Sequence, residues 1–579
     1  MTSRLLDLPP ELALAILVFL DARSLVACKT VCSRFLKIIT NDTELQYIIE
    51  LFSVGMIDNH NSSPSTGTIW PNACLRLQTL KSFLQIRNGL YDLRNYSVDG
   101  FRVINQDSQT DAWCPSLVIK TFSSHDIQAG IEGNHEWQDG RDYKWRYFPG
   151  ILSWKYGPHF HFVKLPGKMR GVAMKTWKLD LRTTFGNEGP AADDRAVSYR
   201  VDVHQDLLIL MEKPARMEFK VHFLSLTTGK RHPSAHSPVH TLWFGSEEAE
   251  DPDWSTSYSI VTYDHHIAIS ISSDSSTPQL LILNWKTGTV LGKLSIQSFQ
   301  MTFLNAHILI VAKNGADDTS QPGVPHLELF DLRFLQQPGS ALSDFSALVP
   351  ILRLDLLKDL EPGPDSTDHY PNWLILKTGS TGVGTSPDLE PLFTQDPRHD
   401  ILVIKLRFIH PRFIVTSAGA LLDFLSMNTP TIPTTTPPAL VTRAFAIHEW
   451  PNCTFFHPDH SRDAPASTCG SRLMIPSISK TDPAQRSFYL FDFNTRPWRR
   501  ELGGEFKPLE NDLLPMDFSS HQGFPVPHIR RIISPSCTGI WLNLTEDRWI
   551  SLVRGSGCNW NLGHAVIFRT ELNENDYGS

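Results

Sequence analysis

Phosphate loops, zinc sites and hydrolase triads each need particular side chains at fixed intervals, and the chain holds fragments of the first two. GSTGVGT, starting at Gly379, has two glycines at phosphate-loop spacing, but Thr385 stands where a lysine must meet the phosphates, and no helical pattern follows. It reads as a plain loop. His448-Glu449 and His135-Glu136 lack the second histidine, three residues on, that would let a helix close a zinc site, so both pairs read as surface residues. Cys453, His457, His460 and Cys469 are separated by three, two and eight residues, a spacing that matches no standard finger. No Gly-x-Ser-x-Gly elbow is present to expose a nucleophilic serine. The sequence therefore predicts a non-enzyme, with no catalytic residue, no metal and no cofactor.

One stretch suits binding instead. In HEWQDGRDYKWRYFPGILSWKYG, from His135, six Trp and Tyr residues (137, 143, 145, 147, 154 and 156) stand among Arg141, Lys144, Arg146 and Lys155. Trp, Tyr and Arg dominate interface energetics, and the basic side chains favour an acidic partner. Trp137, Tyr143, Trp145 and Tyr147 are therefore candidate contacts to a partner protein. The same rings would equally serve as wedges between packed sheets.

Residues of these kinds must be positioned by something large. At 579 residues the chain is expected to form two or more units, and its 41% hydrophobic content is that of a globular protein. The longest apolar run, residues 12–20, is about half a bilayer span, so no membrane segment is predicted. That run also lacks the basic lead-in and cleavage site of a secretory signal, which predicts a cytoplasmic or nuclear protein. Eight scattered cysteines make no disulfide framework. A net charge of -8 without a dense basic block argues against nucleic acid as a partner.

The first fifty residues predict three short helices. Pro9, Pro10 and Glu11 suit a helix start, and from Leu12 to Leu20 apolar side chains point all round the axis, so that helix must be covered on more than one side. A second helix follows Asp21 or Ser24 as N-cap, with Leu25, Cys28, Val31, Cys32, Phe35, Leu36 and Ile39 on one stripe. Asn41, three residues before Glu44, opens a third through Leu45, Tyr47, Ile48 and Leu51. So small a unit cannot hide this much apolar surface alone, and it asks for a partner protein. The segment resembles an F-box at Leu8, Pro9, Glu11, Leu12, Ile16, Phe19, Leu20, Leu25, Val31, Cys32 and Phe35. Phe35 stands where many members of that family have Trp, and Ala22 where Pro is usual.

Beyond residue 55 a polar loop leads to an amphipathic connecting helix within 56–94. From about residue 95 to 575 the pattern is all-β. A strand is followed, about twenty residues on, by a second strand ending in a turn: DLLILMEK then VHFLSLTTGK, HHIAISIS then LLILNWKTGT, HILIVAK then HLELFDLRF, and SRLMIPSI then FYLFDFNTR. Such a repeat predicts a β-propeller of six to eight blades, whose stacked strands are apolar on both faces. A sandwich has the same strand content. Loops are expected at 313–325, 361–372, 377–398, 429–438 and 452–470. Residues 197–241 also resemble the C-terminal part of a group of fungal F-box proteins, through QDLLILMEK and FLSLTTGKRHPSA.

The fold class expected is thus α+β and multidomain: an F-box over 1–55, a helical linker over 56–94 and a β-propeller. The resemblance implies a substrate-receptor subunit of a Skp/cullin/F-box ubiquitin ligase. Leu8, Pro9, Leu12, Ile16, Leu20, Leu25, Val31 and Phe35 would then meet a Skp-type adaptor, and through it a cullin, while the β domain holds an unknown protein client. An F-box scaffold without a ligase role, or a propeller enzyme with a small-molecule pocket, would share the same architecture.

Overall fold

The computed structural model describes residues 8–58 and 73–89 and, between 117 and 570, the strands, helices and turns given below. Four helices, not three, open the chain: α1 (Pro10–Leu17), α2 (Ala22–Val31), α3 (Ser33–Asn41) and α4 (Thr43–Ser53). The long second helix expected from the apolar stripe is broken at Cys32, whose backbone is extended and whose Sγ accepts the Phe35 N–H at 3.5 Å. Asp21 caps α2 through the Ser24 N–H at 2.7 Å. Asp42, one residue after the expected Asn41, caps α4 by accepting from Glu44 and Leu45. A further helix, α5 (Ala73–Gly89), packs on α4 through Tyr47, Leu51, Val54, Leu77 and Leu80.

Mostly antiparallel sheets follow, seven of them with four or five strands among the described residues. The first holds Arg146–Phe148, Ile151–Tyr156, His159–Lys164 and Lys175–Asp180, and the second Ala196–Asp202, Leu207–Glu212, Glu218–Ser225 and Val239–Trp243. The third holds Thr256–Tyr263, His266–Ser273, Ser276–Asn284 and Thr289–Ser295. Met301–Phe303, Ile308–Lys313, His326–Asp331 and Leu352–Asp355 form the fourth, joined in parallel by Arg443–Ala446. The fifth holds Asn372–Lys377, Ile401–Arg407, Arg412–Ser417, Cys453–Phe456 and Phe518–Ser520, and the sixth Ser467–Cys469, Arg472–Ile478, Arg486–Asp492 and His528–Ser534. In the seventh, Ile540–Leu544, Trp549–Val553 and His564–Thr570 are completed by Leu117–Phe122 from far earlier in the chain.

Six of these sheets share one corner. The first residue of a strand pairs with the last residue of the next: His159 with Asp180, Leu207 with Ser225, His266 with Asn284, Ile308 with Asp331, Ile401 with Ser417, and Arg472 with Asp492. The closing residue is always Asp, Asn or Ser. Its side chain accepts an N–H two or three residues on, as from Arg182, Thr228, Lys286, Arg333, Ala420 and Asn494. Short acceptors of this kind turn the chain sharply out of the strand.

Consecutive sheets bury apolar layers between them. Leu207, Ile209 and Met211 face the third sheet, while Leu208 and Leu210 face the first. Similar layers join the third sheet to the fourth, the fourth to the fifth and the fifth to the sixth. Being covered on both faces is why these strands read as unbroken apolar runs. Two expected loops were wrong in part. Phe393–Gln395 lies in a sheet within 377–398, and Cys453–Phe456 and Ser467–Cys469 do so within 452–470. The loop expected at 429–438 lies outside the described residues, as does the one expected at 361–372 except for Asn372, which begins the strand Asn372–Lys377.

Two buried imidazoles make the fold sensitive to acid. Burial lowers the pKa of His266 to about 4, with His265 adding to the effect, and its Nδ1 lies 2.7 Å from the Ala306 carbonyl oxygen. His161 is likewise lowered to about 4, by burial and then by Lys178 and His159. From the ordinary value of 6.5 down to about 4 the unfolded chain binds more protons. Stability is therefore full above that window and is lost as pH falls through it. Tm is expected to decline on acidification from neutral pH, and His161→Phe with His266→Phe to flatten that decline.

Candidate functional site

The helices of residues 8–53 enclose a small core of Leu17, Leu25, Phe35, Ile39 and Leu45, with half-buried side chains such as Leu14, Leu20, Cys28 and Ile48 around it. Pro10 begins α1 where a missing N–H costs nothing, and the Arg34 guanidinium donates to the Leu8 carbonyl oxygen, pinning the segment that leads into α1. Ala13 and Leu17 turn inward. The opposite side of α1 and the turn after it present Leu12, Ile16 and Phe19, exposed by 53, 45 and 90%. Steps of four and three residues put these on one stripe. Val31, 66% exposed at the end of α2, adds to the apolar surface, as do Val26 and Leu36. Large apolar side chains left exposed together on one stripe mark a contact site.

The eight residues expected to meet an adaptor divide by burial. Pro9, Leu12, Ile16 and Val31 are exposed, and Leu8 and Leu20 are half-buried. Leu25 and Phe35 are corrected: at 0 and 6% exposure they belong to the helices' own core, where they hold the surface in shape without forming it. Phe19, the most exposed of all, was not among the expected contacts, although its spacing from Leu12 and Ile16 was visible. Trp137, Tyr143 and Trp145 lie outside the described residues, as does the side chain of Tyr147, whose backbone belongs to the edge strand Arg146–Phe148. Of the four metal-like positions, Cys453 and Cys469 fall on strands of two different sheets, and His457 and His460 lie outside the described residues, as do His135, His448 and the loop from Gly379. Among the described residues no group of three or more His, Cys, Asp or Glu is placed to hold a metal, and no helix is long and apolar enough to cross a membrane.

The helical unit is fastened to the sheets. Met56–Asp58, expected as the start of a loop, pairs antiparallel with Phe393–Gln395, and the Asp396 N–H donates to the Gly55 carbonyl oxygen at 2.8 Å. Arg76 of α5 bonds Asp58 at 2.5 Å and lies over the Tyr47 ring. The turn Pro397–His399 rests on both sides. A Cβ on Gly55 would meet the His399 ring at 3.0 Å, and one on Gly419, in helix α6 (Ala418–Asn428), would meet the Arg398 carbonyl oxygen at 2.7 Å. Gly55 also has φ +70°, so Gly55→Val adds backbone strain of about 1–3 kcal/mol to the clash. Faster amide exchange at Asp396 is the expected result.

Residues 5–46 match the family model described as F-box-like. The chain carries an F-box-like domain at its start. F-box domains generally bind Skp-type adaptors, and the proteins that carry them are typically non-catalytic adaptor subunits of ubiquitin ligases. No curated protein matches the sequence of this chain. Among solved structures it is similar to the uncharacterized protein lmo1340 from Listeria monocytogenes EGD-e, at 8% identity over 72% of this chain and 91% of that one, with a TM-score of 0.32. It is also similar to Kluyveromyces lactis Hsv2p (7% identity, 66% and 97% covered, TM-score 0.26) and to Saccharomyces cerevisiae Sqt1 (10%, 73% and 82%, TM-score 0.26).

Proposed function

We propose that this chain is the substrate-receptor subunit of a Skp/cullin/F-box ubiquitin ligase. The observation that carries this is the stripe of Leu12, Ile16 and Phe19, left bare on helices that otherwise possess a closed core. A Skp-type adaptor is the occupant an F-box implies. The receptor then acts by proximity: the adaptor and cullin bring a ubiquitin-conjugating enzyme to a client held by the sheet domain, at raised effective concentration. Its compartment on this reading is the cytoplasm or nucleus.

The seven sheets are proposed to be propeller blades. Supporting this, the first six sheets bury apolar layers between successive members, and Leu117–Phe122 supplies a strand to the seventh, the usual way of removing a free edge. The client is proposed to bind at the aromatic and basic stretch from His135 to Tyr156. Trp137→Ala and Trp145→Ala should each abolish client capture with Tm unchanged, whereas a fall in Tm with capture intact would make these rings structural.

The decisive experiment reconstitutes the full chain with a Skp-type adaptor, cullin and neddylation and follows ubiquitin transfer to a trapped client. Transfer that depends on the chain supports the receptor; adaptor binding without transfer would favour a scaffold.

A further inference from the structure

Two guanidinium groups meet where the first sheet adjoins the second. Arg146, on the edge strand Arg146–Phe148, donates Nη1 to the Tyr199 carbonyl oxygen at 2.8 Å, with Ser198 Oγ at 3.5 Å, and its guanidinium lies 4.6 Å from the centre of the Tyr199 ring. Arg200, on the neighbouring edge strand Ala196–Asp202, lies 5.5 Å from the centre of the Phe148 ring. Phe148 and Tyr199 pack against each other at 5.8 Å, so the two cations share one aromatic floor. Arg200 Nε is buried and has no hydrogen-bond acceptor among the described residues.

The nearby carboxylate does not resolve this. Asp202 Oδ1 accepts from the His204 and Gln205 N–H groups, and Oδ2 from Gln205 Nε2, so its oxygens are engaged in the turn. Burial disfavours the Arg200 charge most, Asp202 partly restores it, and Arg146 opposes it again. A desolvated guanidinium beside a second one, with a donor left over, is costly unless an anion completes it. Planar forks of this kind bind carboxylate and phosphate oxygens two at a time.

We propose that Arg146 and Arg200 form an oxyanion site that receives the carboxylate or phosphoryl group of an acidic client segment. The client assignment rests on the receptor role proposed above; the anion site does not, because the chain alone must bind the anion.

The test uses the full-length protein, with inorganic phosphate, acetate or chloride at equal ionic strength. Phosphate, acetate or both are expected to raise Tm above that in chloride. Arg200→Met should raise Tm in chloride, by removing an uncompensated cation, and should erase the anion-specific rise. Arg146→Lys keeps the charge but loses the fork, and should weaken anion binding about tenfold. A response to phosphate alone selects a phosphorylated segment, and a response to acetate as well selects a carboxylate. The site is overturned if no oxyanion outperforms chloride, if Arg200→Met lowers Tm in chloride, or if either variant binds the anion as the natural chain does. Should Arg200→Met fail to fold, Arg146→Lys decides. Anion binding that survives while ubiquitin transfer is absent would overturn the receptor role and leave the site standing.

Discussion

Ile16→Asp, alone or with Leu12→Asp, is expected to abolish capture of a Skp-type adaptor while leaving Tm unchanged. Both side chains stand exposed on one stripe of α1, so a carboxylate there is fully solvated in the free chain and costs the fold almost nothing. In the complex it would be desolvated against an apolar surface. Truncating a buried interface anchor typically costs about 2 kcal/mol or more, a factor of about thirty in affinity, and an unpaired buried charge costs more. Calorimetry or quantitative pull-down measures the loss. Leu25→Ala provides the contrast, because Leu25 is fully buried beneath this surface. Its cavity should cost about 2–5 kcal/mol, so Tm of the helical unit and adaptor affinity should fall together. Undiminished affinity in Ile16→Asp would place the adaptor elsewhere.

The contrast between Ile16 and Leu25 also marks what a sequence can display. The apolar residues of α1 point all round its axis, and that the helix needs a second covering follows from the sequence alone. Which residues face inward does not, because Leu25 and Phe35 lie on the same stripe as Val31, and only packing tells a floor from a surface. The break at Cys32 was hidden for a similar reason: the stripe from Leu25 to Ile39 keeps helical period straight through it. Among the sheets, the spacing of about twenty residues was legible where paired strands follow each other closely in the sequence, as at Leu207–Glu212 with Glu218–Ser225. Three-residue strands in polar surroundings, such as Phe393–Gln395, lack enough residues for any period to show. Pairings between distant segments, Met56–Asp58 with Phe393–Gln395 or Leu352–Asp355 with Arg443–Ala446, leave no local trace at all. The fastening of the helical unit to the sheets was therefore invisible, although Gly55 and Gly419 are the residues that permit it.

A chain ending at residue 563 is expected to lose the whole sheet domain, even though only its last described strand is removed. His564–Thr570 lies between Trp549–Val553 and Leu117–Phe122, pairing with both. Without it each of those strands presents unpaired N–H and C=O groups, and Leu117–Phe122, which pairs with no other described strand, has nothing to hold it. In a ring of packed sheets this opens the structure at one point and exposes the apolar faces on either side, so that unfolding spreads and edges associate. Gel filtration should then show aggregates, and proteolysis should reach the second to sixth sheets. In an open row of sheets the same deletion costs only the terminal member, because the layers joining the first six do not involve it. A monomeric product, whose main thermal transition matches that of the full chain, would therefore exclude the closed propeller.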